Sequence, residues 1–148
     1  MIKQSKVNFF FSESKPNLEN RSVLKKFIIS LFKTEKTRLE SITYIFSNDR
    51  VLYELNKKYL QHDFYTDIIT FDLSIQGQPK VAEVYISTDR VKENSLTHKV
   101  SFKSELHRVI FHGALHLCGY NDKSLKQTKQ MRTRENYYLL QYFSKRFT

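Results

Sequence analysis

The sequence predicts an α+β fold, a mixed four-stranded sheet covered by helices, with the chemically informative residues on a central helix. Three observations carry this expectation. Short β-branched and aromatic runs alternate with helical patterns in the order β, α, β, α, β, β, and everything after them reads as helix. That order departs from the strict alternation of a doubly wound sheet. Only three glycines and two prolines interrupt 148 residues, which argues against a long flexible linker. With 40% hydrophobic residues this length buries one sizeable core, so residues 1–148 are expected to form a single domain.

Val7 to Phe11 reads as a short strand, followed by a turn around Ser14, Pro16 and Asn17. Asn20 is a candidate N-cap for a helix to about Lys36, because Leu24, Phe27, Ile28, Leu31 and Phe32 recur at three- and four-residue spacing. Arg38 to Phe46 alternates as a second strand, and Ser47, Asn48 and Asp49 offer caps for a helix carrying Val51, Leu52, Leu55 and Tyr59. Thr66 to Leu73 and Val81 to Ser87 read as strands around a turn at Gly77 and Pro79, a hairpin or neighbouring pair. Helical patterns then run from Thr88 to about Leu96, from Phe102 to Cys118, and from Ser124 to about Arg146.

A formal charge of +10, with a pI near 9.7, points to a polyanionic partner. The basic residues are spread along the chain, which favours nucleic acid over a membrane surface, where a concentrated basic amphipathic segment is expected. The apolar stretches are far too short to span a bilayer, so the chain is expected to be soluble. Cys118 is the sole cysteine, and with no secretory pattern at the N-terminus this favours the reducing cytoplasm.

The stretch HGALHLCGYND, residues 112–122, concentrates the candidate chemistry. On a helix, His112 and His116 sit one turn apart with about 40° of rotation between them, so both imidazoles can address one ion. Glu105, Arg108, His112 and His116 form a narrow polar stripe on an otherwise apolar helix, which is expected to line a cleft. Gly119 can end that helix in a left-handed turn and return Asp122 toward the imidazoles. The spacing His-x-x-x-His-x-x-Gly-x-x-Asp resembles the metzincin zinc site, with Asp as the third ligand and room left for water. Position 113 is Gly rather than the glutamate that zinc peptidases use as general base, which counts against peptide hydrolysis. Asp67, Glu83, Glu105 and Glu135 are the acids available for proton transfer.

The same run, followed by Met131 and Glu135, resembles the signature of the YbeY family of endoribonucleases, His-Gly-x-Leu-His-Leu-x-Gly-Tyr-Asp-His and then Met-x-x-x-Glu. LNKKYLQHDFYTDIITF, residues 55–71, is similar to that family's Leu-Asn-x-x-Tyr-Arg … Thr-Asp-Val-Leu-Ser-Phe segment. The resemblance implies a zincin-like fold and a zinc-dependent single-strand endoribonuclease. Its implied role is ribosomal RNA maturation, notably at the small-subunit RNA 3′ end, and ribosome quality control. It also implies one zinc per chain, held by His112, His116 and Asp122. Two residues depart from the family pattern. Asp122 replaces the usual His, and its negative charge should weaken acidification of bound water and widen the choice of metal to manganese, nickel or iron. Leu60 replaces an Arg expected to meet RNA phosphate, with Lys57, Lys58 and His62 the nearest candidates to take its part.

Lys123, Lys126, Lys129 and Arg132 recur every three residues beside the proposed site and could hold an RNA backbone. Met131 is a candidate floor beneath the metal or a core residue. Phe9, Phe10, Phe11, Tyr65 and Phe71 could stack on unpaired bases, although most are expected to be buried. Cys118 and His107 turn away from the histidine face and are expected to pack. A metallopeptidase and an RNA-binding ribosome-assembly factor with a structural metal are the alternative readings; a fourth protein ligand closing the metal site would favour the latter.

Overall fold

The computed structural model describes residues 5–144. Their elements are β1 (Val7–Phe11), α1 (Arg21–Thr34), β2 (Leu39–Ser47), α2 (Asp49–Tyr59), β3 (Ile68–Asp72), β4 (Lys80–Ser87), α3 (Thr88–His98), α4 (Phe102–Leu117) and α5 (Leu125–Ser144). The expected end of the last helix near Arg146 lies outside the described residues. The fold is α+β, as the apolar patterning predicts.

The four strands form one sheet in the order β1-β2-β4-β3. β1 and β4 both run parallel to β2, while β3 closes the edge antiparallel to β4. Parallel neighbours need crossovers: α1 joins β1 to β2, and α2 with β3 lies between β2 and β4. Strand alternation then sorts side chains by face. Val7, Phe9 and Phe11 pair with Ile42, Tyr44 and Phe46, and these join Ala82, Val84 and Ile86 against α1 and α4. On the other face Phe71 and Tyr85 meet edge-on, and Tyr59 at the end of α2 packs edge-on to Phe71.

α4 is the central helix. Leu106, Val109, Ile110, Phe111, Ala114 and Leu115 are all buried, and the Tyr44 hydroxyl donates to the Ile110 carbonyl at 3.0 Å. Gly113 makes this approach possible: a Cβ there would stand 3.0 Å from Val84 Cγ1 and 3.1 Å from Ile68 Cδ1. α5 packs along α4 through Met131, Glu135, Tyr138 and Leu139.

Caps follow the expected residues with one difference. Asn48, Ser87 and Ser101 each accept a backbone N–H from the first turn of their helices. Asn20 instead takes a left-handed backbone, which a short amide tolerates, and its side chain makes no cap bond. The expectation that most of the five candidate stacking aromatics are buried does not hold. Phe9, Phe11 and Phe71 are half-buried in edge strands, and Phe10 and Tyr65 are exposed.

Candidate metal centre

The polar stripe of α4 opens into a cleft of about 480 Å³ between α4, the start of α5, β3 and α3. His112 and His116 reach it one turn apart, with ring centroids separated by 5.6 Å. Cys118 ends the helix and Gly119, at φ 104°, reverses the chain in the left-handed region where only glycine is unstrained. The loop that follows returns Asp122 so that its Oδ2 lies 3.3 Å from His112 Nε2. One ligand atom from each of His112, His116 and Asp122 lies within 4.8 Å of the others. Asp122 is the solvent-facing member, its side chain 40% exposed.

The remaining ring nitrogens settle how these imidazoles present themselves. His116 Nδ1 lies 2.6 Å from the Tyr120 carbonyl oxygen, which can only accept, so Nδ1 carries a proton and Nε2 is the nitrogen left toward the cleft. His112 Nδ1 donates to Glu135 Oε2 at 2.6 Å, and Arg108 donates to Glu135 Oε1 at 2.9 Å. Burial pushes the Glu135 carboxyl up, but the bonds and charges of His112 and Arg108 outweigh it and hold the group below its ordinary value. Both imidazoles are therefore oriented from behind by acceptors, the arrangement that fixes tautomer and raises basicity in metal-binding histidines. Two imidazole nitrogens and one carboxylate form a donor set that suits a borderline divalent cation. Burial pushes the His112 pKa down, but the hydrogen bond and charge of Glu135 with the charge of Asp122 outweigh it and raise the group above its ordinary value, so a cation there competes with a proton.

Of the other acids expected from sequence, Asp67, Glu105 and Glu135 line the cleft. Asp67 sits where β3 begins, 3.4 Å from the Asn94 amide, and burial holds its carboxyl above the ordinary range despite the pull of His112. Glu105 is buried with His98 Nδ1 at 3.9 Å. Glu135 has both oxygens engaged and acts as a support for His112. Glu83 lies on the opposite face of the sheet, its neighbour Tyr85 at 3.5 Å. Met131 is buried in the cleft lining.

The basic residues divide. Arg132 lines the cleft, whereas Lys126 and Lys129 open onto a separate hollow with Tyr120 and Arg134. A three-residue step on a helix slips back about 60° each time, so three such residues cannot share one line. Lys123 precedes α5 and is exposed, and Lys57 and Lys58 are exposed in the last turn of α2. Leu60 does line the cleft. His107 turns away, hydrogen-bonded to the Lys103 carbonyl at 2.7 Å and stacked on Tyr142. Cys118 packs against the core, where burial pushes its thiol up to about 11.

Sequence reasoning missed Asn94 and His98 as lining groups and the Tyr120 carbonyl as the partner of His116. No local signal marks the first two, and a backbone carbonyl carries none at all.

Comparison with known proteins adds independent likenesses. The family model described as Endoribonuclease YbeY matches residues 8–143. The endoribonuclease YbeY of Cytophaga hutchinsonii is 39% identical over 136 residues, covering 91% of this chain and 94% of that protein. That of Amoebophilus asiaticus is 36% identical over 137 residues, covering 93% of each chain. That of Bacteroides thetaiotaomicron is 48% identical over 99 residues, covering 67% of this chain and 72% of that protein. The solution structure of a Thermotoga maritima protein shares the fold, with a TM-score of 0.59 at 24% identity over 93% of this chain and 89% of that one.

Proposed function

Because the chain belongs to the endoribonuclease YbeY family, we propose that it is a zinc-dependent single-strand endoribonuclease that acts in ribosomal RNA maturation, with the small-subunit RNA 3′ end as its substrate region. The observation that carries the chemistry is the convergence of His112, His116 and Asp122, each imidazole held at Nδ1 so that Nε2 is the nitrogen left to ligate. One zinc per chain fits these donors, and they leave a coordination position open among the described residues. A cation there supplies Lewis acidity toward a phosphoryl oxygen and makes water more acidic.

The chain's own residues do the rest. Arg132 presents a half-exposed guanidinium to the cleft, where it can meet a phosphate. Asp67, held closer to neutrality by burial, is the carboxyl best placed to take or return a proton. Arg108 and Glu135 orient His112. Position 113 carries no peptidase glutamate, and a side chain there would crowd Val84 and Ile68, at 3.0 and 3.1 Å from its Cβ. The basic charge of +10 suits ribosomal RNA as substrate, and a cytoplasmic location follows from that role. Among the described residues no helix is long and apolar enough to cross a membrane.

The test is incubation of the pure protein with ribosomal RNA, with and without chelator, beside His116→Ala. Cleavage that stops with chelator and in the variant is expected. Equal cleavage in all three would overturn the metal-dependent mechanism, whereas undiminished RNA binding without any cleavage would return an assembly factor with a structural metal.

A further inference from the structure

The segment from Tyr59 to Tyr65, YLQHDFY, exposes more apolar surface than its surroundings explain. Tyr59 is 58% exposed, Leu60 43%, Phe64 54% and Tyr65 55%, four large side chains within seven residues. The segment is nevertheless tied down. Asn56, itself buried, accepts at its backbone carbonyl from Leu60 and His62 at 3.0 and 3.1 Å, and its side-chain amide donates to the Phe64 carbonyl at 3.0 Å. Gln61, at φ 55°, turns the chain between them.

Cations surround these rings. Lys58 Nζ lies 5.2 Å from the Tyr59 ring centre and the Arg90 guanidinium 5.2 Å from that of Tyr65, and Lys57 is exposed on the preceding helical turn. The rings are also braced from behind. His62 stacks on Phe64 at 5.0 Å and 19°, and Tyr53 lies 5.0 Å from Tyr65. Each of the three rings thus has a neighbouring ring, Phe71 in the case of Tyr59, and keeps more than half of its residue's surface in solvent. The segment adjoins the cleft at both ends, since Leu60 on one side and Thr66 and Asp67 on the other line it.

We propose that Tyr59, Phe64 and Tyr65 form a stacking platform for unpaired nucleobases, which seats a single strand beside the metal cleft while Lys57 and Lys58 hold its phosphates and Arg90, paired with Asp49 at 2.9 Å, braces Tyr65. The proposal rests on the RNA reading above and specifies how this chain holds the strand at the position where Leu60 supplies no charge. Rings interleaved with cations fit a single-stranded polyanion, because every base offers a π-face and every linkage a negative charge. A peptide partner would need an acidic character to match the same cations, and a duplex would keep its bases stacked inside. Rigid mounting by Asn56 and His62 lowers the ordering cost of each stacked base.

The test separates bases from phosphates. Two strands of equal length are compared, an oligouridylate and an abasic ribose-phosphate oligomer, with binding followed by fluorescence anisotropy in chelator so that cleavage plays no part. Wild type is expected to prefer the base-bearing strand by about 10-fold or more. Phe64→Ala and Tyr65→Ala should each weaken oligouridylate binding by about 5- to 100-fold while leaving the abasic strand unchanged, and Lys57→Ala should weaken both strands alike.

The chain contains no tryptophan, so Phe64→Trp is a unique reporter. It should restore affinity and show fluorescence quenching by the oligouridylate but not by the abasic strand. Because the rings are exposed, the alanine variants should melt like wild type; if one does not fold, the tryptophan signal alone decides. Absence of quenching together with equal affinity for both strands overturns the platform even if chelator-sensitive cleavage persists. Quenching without any cleavage keeps the platform and removes the nuclease reading. Failure to bind either strand overturns both.

Discussion

The behaviour of His112 depends on a residue 23 positions away. Glu135 accepts its Nδ1–H at 2.6 Å and is itself held by Arg108 at 2.9 Å, so a charged chain of three groups sets which nitrogen faces the cleft. Glu135→Gln keeps the shape and an acceptor but removes the charge. Its affinity for Zn²⁺ should fall about 10- to 100-fold, read by competition with a chromophoric chelator. Glu105→Gln is the control: that carboxyl also lines the cleft, but its near neighbour is His98 at 3.9 Å rather than a candidate ligand. Equal losses in the two variants would refute the supporting role. At this scale the three converging groups were legible in sequence, because a helical turn and a glycine reversal fix their spacing locally. Their supports were not. Glu135 stood out only as an acid in a motif, and Tyr120 contributes a carbonyl that any residue carries.

The strands and helices were legible to within a residue or two at most ends, since period 2 and period 3.6 patterns are local. Their assembly was not: nothing in β1 or β4 states that both run parallel to β2, because that depends on where the crossover helices pack. One consequence of that packing is Glu35. It follows α1, yet its carboxylate accepts from Tyr120 of the loop after α4 at 2.9 Å and from Arg134 and Tyr138 of α5. Three elements therefore meet on one charge, next to the loop whose carbonyl holds His116. Burial pushes this carboxyl up, but the bonds from Tyr138, Arg134 and Tyr120 outweigh it, and the folded-state value lies below the ordinary one. A depressed carboxyl contributes stability that is present above its unfolded value and is lost as pH falls through the folded value. Thermal melts of wild type should consequently lose more between about pH 6 and pH 3 than those of Glu35→Gln, with the curves converging at the acid end. Parallel curves would show that the carboxylate network carries no pH-linked stability.

Net charge was legible in the sequence, but its direction in space was not, because helical geometry distributes evenly spaced lysines around the axis. Arg132 faces the cleft beside Glu135 at 3.7 Å, whereas Lys126 and Lys129 line a hollow beyond Tyr120. A charge of +10 spread over all faces would attract any polyanion weakly; a strand that runs through the cleft should count only the cations that meet its phosphates. The distinction appears in salt dependence. For single strands the slope of log affinity against log salt is about −0.7 for each phosphate neutralised. Arg132→Ala should therefore flatten the slope for a single-stranded RNA by about 0.7, measured by anisotropy across a potassium chloride series with metal chelated. The double variant Lys126→Ala, Lys129→Ala should leave the slope within error of wild type although it removes twice the charge. If the double variant flattens it by about twice as much as Arg132→Ala, the strand follows the outer face of α5 or senses only overall charge, and the cleft is not its path.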